Sequence, residues 1–251
     1  PHAFFRRQRQ MCIRDSSGNE LSEWVKYLEK NELKNFYAIE NNFKVYFDVL
    51  NNKYSEIPNQ KSYVLLENYK ENKTVWENED CSIIDIGDGI LNIEFNSKMN
   101  TIGSDILQGL NKAIEIGEKN FQGLIIGNEG DNFSAGADLG MIFMMSVEQE
   151  YEKLDIAIKY FQETMMKLRY SNIPTIASPH GLTLGGGCEL CMHADKVVAA
   201  AETYIGLVEF GVGLIPGGGG TKEMTLRTSE SFKKNDVELL SLIHISEPTR
   251  R

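Results

Sequence analysis

Cysteine is scarce in this sequence: four residues in 251, at positions 12, 81, 188 and 191. That is too few for a disulfide scaffold and suits a reducing, cytoplasmic setting. Cys188 and Cys191 form a C-x-x-C, but there is no second such pair, and only His193 stands near it. Buried thiols on a helix are therefore preferred over a zinc or redox site, and no metal is expected. Long apolar runs are also missing; none approaches the roughly 20 residues of a membrane span. Positive charge is in deficit, with 26 Lys and Arg against 36 Asp and Glu, a net −10. This opposes nonspecific binding to nucleic acid or to an anionic membrane. Two nucleotide-binding signatures are absent as well. Lys222 follows Thr221 rather than preceding it, which breaks the P-loop order, and no G-x-G-x-x-G fits the strand–helix junction at Gly185.

The two ends read differently from the middle. Residues 1–16 and 240–251 match translated sequencing-library adapter. Met11 to Asp15 can be encoded by ATG TGT ATA AGA GAC, and Leu240 to Ile245 by CTG TCT CTT ATA CAC ATC, nearly reverse complements of one another. Both ends are set aside from fold reasoning, as a fusion scar would be. Without them the net charge is about −14.

From residue 17 to 80 the pattern is mixed. Residues 20–30 have a helical period with Trp24, Val25 and Leu28 on one face. Residues 36–57 alternate aromatic and polar types around Asn41-Asn42 and Asn51-Asn52, which predicts hairpin-like strands. Residues 63–76 read as a helix and a polar linker.

From Cys81 onward, strand and helix alternate. Residues 82–86 and 90–95 are apolar strands joined at Gly87-Asp88-Gly89, a tight-turn signal. A helix is expected over 104–119 with Ile106, Leu107, Leu110 and Ile114 inward. A buried strand follows at 123–126, then a loop over 127–138 and one long helix over 147–169. Strands are expected at 174–179 and 196–200. The alternation argues a layered α/β fold. The run Met141 to Met145 reads as core packing rather than pocket lining.

Three stretches carry candidate chemistry. The first is Gly181 to Leu190, with three consecutive glycines and then Cys188 and Glu189. It reads as a strand, a tight turn and a helix N-terminus, where unpartnered N–H groups can hold a negative oxygen. The second is the loop Asn132-Phe133-Ser134-Ala135-Gly136-Ala137-Asp138, whose small residues leave backbone N–H groups free to face a ligand. The third is Tyr204 to Gly211, with Glu209 among apolar residues and glycines, followed by Ile215-Pro216-Gly217. Glu209 is a surface residue or a buried carboxyl with a raised pKa; the pattern alone leaves both open.

Taken together, Phe133 to Asp138, Leu184 to Glu189, and Glu209 before Ile215-Pro216-Gly217 resemble the crotonase, or enoyl-CoA hydratase/isomerase, superfamily. The likeness covers residues 82–227. It implies a spiral of ββα units, C-terminally truncated here, and a CoA thioester substrate. By motif match it places an oxyanion hole at the backbone N–H groups of Ala135 and Gly186. Ser134, Ala137, Asp138, Gly185 and Gly187 are expected to contact substrate. Glu189 and Glu209 match both catalytic acids of the family's hydratases, which implies addition of water to a trans-2-enoyl-CoA. An isomerase, another acyl-CoA chemistry, or a non-catalytic acyl-CoA-binding module are the alternatives.

Residues 24–28 and 72–76 resemble the junction in bifunctional β-oxidation proteins, where a 3-hydroxyacyl-CoA dehydrogenase precedes the hydratase. Residues 17–80 are accordingly expected to be the tail of such a domain plus a linker, and 81–239 an incomplete crotonase domain. NAD would belong only to the dehydrogenase part, and no cofactor is expected for the remainder. The resemblance further implies trimer-type self-association or a thiolase partner.

Overall fold

A computed structural model describes residues 23–30, 36–40, 43–58 and 64–234. They form two units that divide between Val64 and Leu65. In the first, helix α1 (Glu23–Lys30) precedes an antiparallel meander of β1 (Tyr37–Glu40), β2 (Phe43–Asp48) and β3 (Lys53–Glu56). Phe47 is the buried centre, stacked on Tyr27 at 5.7 Å and met edge-on by Tyr54 at 5.6 Å. Asp48 closes the β2–β3 turn by accepting from the N–H groups of Leu50 and Asn51. Asn52 takes the left-handed conformation there, with φ 49°. Asn41 and Asn42 lie outside the described residues, as do residues 1–22 and 235–251, where both adapter-like ends fall.

The second unit is built on a six-stranded sheet. Its strands are β4 (Thr74–Glu77), β5 (Cys81–Gly87), β6 (Ile90–Phe95), β7 (Gly123–Ile126), β8 (Thr175–Ala177) and β10 (Lys196–Val197), in the order β10-β8-β7-β6-β5-β4. Pairing is antiparallel from β4 to β6 and parallel from β6 to β10. The central strands are near-continuous apolar runs because helices and loops cover them. Ile83, Leu91, Ile93 and Ile126 are fully buried. The turn between β5 and β6 uses positive φ at Gly87, Asp88 and Gly89.

Helix α3 (Ser104–Asn120) lays Ile106, Leu107, Leu110 and Ile114 onto this sheet. The period of 3.6 brings those positions to one face. It approaches so closely at Gly109 that a Cβ there would overlap Cys81 Sγ. A smaller parallel pair, β9 (Leu182–Leu184) with β11 (Tyr204–Gly206), stands apart from the main sheet. Helix α6 (Gly186–His193) follows β9 directly, and α7 (Gly220–Lys234) ends the described chain. The expected α/β class and ββα units are present, with β5-β6-α3 and β8-β9-α6 as two of them.

Three expectations need correction. Residues 63–76 are not helix plus linker: α2 (Glu67–Lys73) leads straight into β4, an edge strand of the main sheet. Lys70 anchors α2 through an ion pair with buried Glu94 on β6 at 2.8 Å. The alternation Thr74-Val75-Trp76 is a strand signal obscured by the polar residues before it. The long helix expected over 147–169 begins four residues later, as α5 (Tyr151–Arg169), because α4 (Leu139–Val147) runs up to Val147. Gln149 breaks them apart with φ 56°. Finally, the strand at 196–200 covers only Lys196 and Val197, although the N–H groups of Val198 and Ala200 still donate to Ala177 and Pro179.

Gly109→Ala is expected to destabilise the second unit by about 1–3 kcal/mol through overpacking. Adding Cys81→Ala should recover part of that loss, because it removes the colliding sulfur. Urea unfolding of the two variants checks this; an unchanged midpoint in Gly109→Ala would show that α3 does not press on β5.

Candidate active site

The loop over residues 127–138 is stitched down on both sides. Ser134 bridges to Thr183 on β9, and Ile102 to Ala137. Ser134 N–H donates to Leu182, and Leu184 N–H donates back to Ser134. Ser134 itself is fully buried; its Oγ donates to the Asn100 carbonyl at 2.7 Å and accepts from Gly136 N–H at 3.0 Å. The side chain is therefore spent on holding the loop, not on a ligand.

These bonds decide which backbone donors stay free. Ala135 N–H donates to the Met99 carbonyl at 3.1 Å. Gly136 N–H is taken by Ser134 Oγ. Ala137 N–H has no acceptor among the described residues. The Ala135 N–H expected to face a ligand is thus already bonded, and of these three N–H groups that of Ala137 is the one left without an acceptor.

Gly186 is the first residue of α6. Its predecessor Gly185 turns the chain with φ 48° and ψ −116°, and no side chain caps the helix. Ala137 and Gly186 meet at one corner: a Cβ on Gly186 would stand 3.3 Å from Ala137 N, and one on Gly136 would stand 3.3 Å from Gly186 N. Two N–H groups, one at the positive end of a helix, therefore share a small space. Gly187 packs against Ser134 Cβ, so its role is close approach. Asp138 turns away to cap α4, accepting from Gly140 and Met141 N–H at 2.9 and 3.1 Å. Ser134, Gly187 and Asp138 thus shape the loop and helices, the first two buried and Asp138 exposed at the start of α4.

Two carboxylates flank the same helix start. Glu189, in the first turn of α6, is 3% exposed, and its Oε1 accepts from Gly220 N–H at 2.8 Å. Burial pushes its pKa above the usual carboxylate range; the Gly220 donation opposes this and the Glu209 charge adds to it. Glu209 opens a short 3-10 turn (Glu209–Val212) and is half-buried. A Cβ on Gly185 would lie 3.2 Å from its Oε1, while Oε2 is buried with no hydrogen bond. Glu209 therefore lies between the two readings open in sequence, half-buried with one oxygen inside. Between them Cys188 is buried, and burial foremost, then the two glutamates, push its thiol up to about 11. Cys188 and Cys191 are both free thiols.

Pattern reading did not single out several neighbours. Phe161 of α5 packs against the backbone at Gly186 and Gly218. Gly220 supplies the N–H on Glu189. His193, weighed only beside the C-x-x-C, places Nδ1 2.7 Å from the Glu189 carbonyl. Its spacing of four from Glu189 was the available signal. Helix α4 departs from the core-packing expectation for Met141 to Met145. None of its residues is buried, and Phe143, Met144 and Val147 are exposed.

Comparison with known proteins meets this geometry at several points. The family described as Enoyl-CoA hydratase/isomerase matches residues 85–235. A Bacillus subtilis protein named "Probable 3-hydroxyacyl-CoA dehydrogenase" is 44% identical over 208 residues, spanning 82% of this chain and 26% of that protein. A Rickettsia felis "Putative fatty acid oxidation complex trifunctional enzyme" is 36% identical over 178 residues, 71% of this chain and 25% of that one. The chain thus spans about a quarter of the length of these relatives. A crystal structure of an enoyl-CoA hydratase from Bacillus anthracis superposes with a TM-score of 0.53 at 28% identity, over 58% of this chain and 57% of that one. No helix among the described residues is long and apolar enough to cross a membrane.

Glu189→Gln is expected to stabilise the fold at neutral pH and to have no such effect in acid. The folded-state pKa of Glu189 is raised above its ordinary 4.5, so folded protein holds this proton more tightly than unfolded protein does. Stability is therefore lost as pH rises through the folded pKa, and glutamine lacks that loss. Urea unfolding midpoints at pH 7 and near pH 4 check the sign; a variant less stable than wild type at pH 7 by the same margin as at pH 4 would contradict it.

Proposed function

The chain belongs to the enoyl-CoA hydratase/isomerase family, and from that premise we propose that its second unit carries an enoyl-CoA hydratase site. The substrate is a trans-2-enoyl-CoA and the product a 3-hydroxyacyl-CoA. The observation that supports this most is the placement of two carboxylates, Glu189 and Glu209, beside one helix start where the backbone nitrogens of Gly186 and Ala137 border the same corner.

In this reading the thioester oxygen accepts from Gly186 and Ala137. Glu189 takes a proton from water as the water oxygen bonds to Cβ. The electron pair of the double bond moves through Cα to the thioester oxygen, and the two N–H groups hold the enolate so formed. Glu209 delivers a proton to Cα, the carbonyl reforms, and water has been added. Backbone donors of this kind need no reorganisation, and losing one typically costs about 10²–10³ in rate. Burial suits Glu189 to the base role, since a raised pKa makes it a stronger base near neutrality. Migration of a double bond requires one group that lifts a proton and returns it. A second carboxylate finds a use when water must also be activated, which favours hydration over isomerisation.

The product suits a fused or associated dehydrogenase, because a 3-hydroxyacyl thioester is what hydride removal at C3 would consume. The printed names of the two curated relatives agree with such an arrangement. We accordingly place residues 17–64 with a dehydrogenase-like part of a longer protein. Residues 65–80, which the sequence reading grouped with them, go with the hydratase unit, since α2 and β4 fold into its sheet.

Glu189→Gln and Glu209→Gln should each lower hydration of a short trans-2-enoyl-CoA by about 10²–10⁴. Loss of the conjugated enoyl-thioester absorbance in the full chain measures this. Near-wild-type turnover in both variants would contradict the reading, as would conversion of a 3-enoyl-CoA to its 2-enoyl isomer as the sole activity.

A further inference from the structure

Glu189 is placed by an N–H that it does not own, so whatever fixes Gly220 also fixes Glu189. Gly220 is the first residue of α7, and behind it three helices meet at one buried point. Glu223, in the first turn of α7, is completely buried, and its carboxylate is ion-paired with Arg169, the last residue of α5. Its other oxygen lies 3.3 Å from Lys222 Nζ and 3.5 Å from His193 Nε2, the last residue of α6. His193 is 2% exposed and its Nδ1 meets the backbone carbonyl of Glu189. A carbonyl can only accept, so Nδ1 carries the hydrogen; burial lowers the pKa of the ring, and Nε2 and Glu223 Oε1 face each other without a hydrogen bond, so His193 meets α7 by packing. Gly219 rides against the imidazole, where a Cβ would stand 3.1 Å from Cε1.

We propose that Arg169, Glu223 and His193 are positioning residues, the first two through the ion pair between α5 and α7 and the third through the packing of its α6 ring against Gly219, so that Gly220 N–H stays on the Glu189 carboxylate. This rests on the hydratase reading for its catalytic consequence, but not for its geometry. The charges suit the tie: Glu223 sits at a helix N-terminus and Arg169 at a helix C-terminus, each where the helix dipole favours it. The exposed alternative, Arg227 of α7 donating to the Met192 carbonyl, lies one turn further along and touches neither Gly220 nor Glu189. None of the three residues reaches the corner formed by Ala137 and Gly186, so their effect on turnover passes through Glu189.

The test uses the full chain labelled with 15N-glycine, with the Gly220 amide assigned through Gly220→Ala. In wild type this amide should be protected from exchange and should shift as Glu189 ionises. In Glu223→Gln and in His193→Ala its protection should fall about tenfold or more, while amides of β5 to β8 keep theirs. In the same variants kcat should fall about 10- to 100-fold with KM little changed, and Glu223→Asp should recover part of the loss. If Glu223→Gln loses the fold, Arg169→Lys, on the partly exposed side of the cluster, carries the same prediction at smaller size. A Gly220 amide that keeps its protection and its pH response in these variants would overturn the proposal. A Gly220 amide that responds in a wild-type chain without hydratase activity would instead uphold the tie and remove the hydratase reading.

Discussion

One hydrogen bond constrains this site more than any other: the Gly220 N–H on the buried carboxylate of Glu189. A carboxylate that is 3% exposed cannot rely on water for solvation. It must be held by protein donors, and its pKa rises in proportion to how poorly they replace water. Gly220 is close enough to orient the group, yet the backbone donors at Gly220 and Gly218 do not offset burial, and the pKa stays raised. The glycine run before Gly220 follows from that contact. A Cβ at Gly218 would collide with Glu189 and with Phe161, and one at Gly219 would press on His193. Side chains are excluded there because the carboxylate and the imidazole occupy the space.

The rest of the second unit brings that contact into line with the loop that carries Ala137. The parallel strands β7 and β8 end at the same edge, so the segments that leave them run side by side. The first is the loop of residues 127–138, and the second becomes β9 and α6. Backbone bonds between Ser134 and the two residues flanking Thr183 lock their register. Register matters here because it decides which N–H groups face the corner. One consumed by Met99 and one consumed by Ser134 Oγ leave Ala137 to pair with Gly186. Small residues in the loop are thus needed for packing, and the free donor is what remains after packing.

Much of this was legible in the sequence. Glycine turns at 87–89 and 185–187 and the period of α3 announced themselves through spacing, whereas the pairing of Glu189 with Glu209 came from the family resemblance. What was not legible shares a physical cause. Gln149 ends a helix by adopting φ 56°, which no local propensity demands. Thr74 to Glu77 became a strand because β5 offered an edge to pair with. That the Ala135 N–H is bonded to Met99 was hidden because a motif names positions but not the acceptors around them. Arg169, His193 and Glu223 come from three separate helices, and each is unremarkable until tertiary packing brings them to one point, His193 and Glu223 buried and Arg169 half-buried. Spacing along the chain carries local structure and the first turn of a helix; it does not carry which distant group supplies the counter-charge.

Addition of water and migration of a double bond part at the origin of one oxygen atom. When the full chain is incubated with a trans-2-enoyl-CoA in 18O-labelled water, the proposed hydration yields a product with one labelled oxygen, at C3. A product that carries no label, with its double bond shifted or untouched, would contradict it.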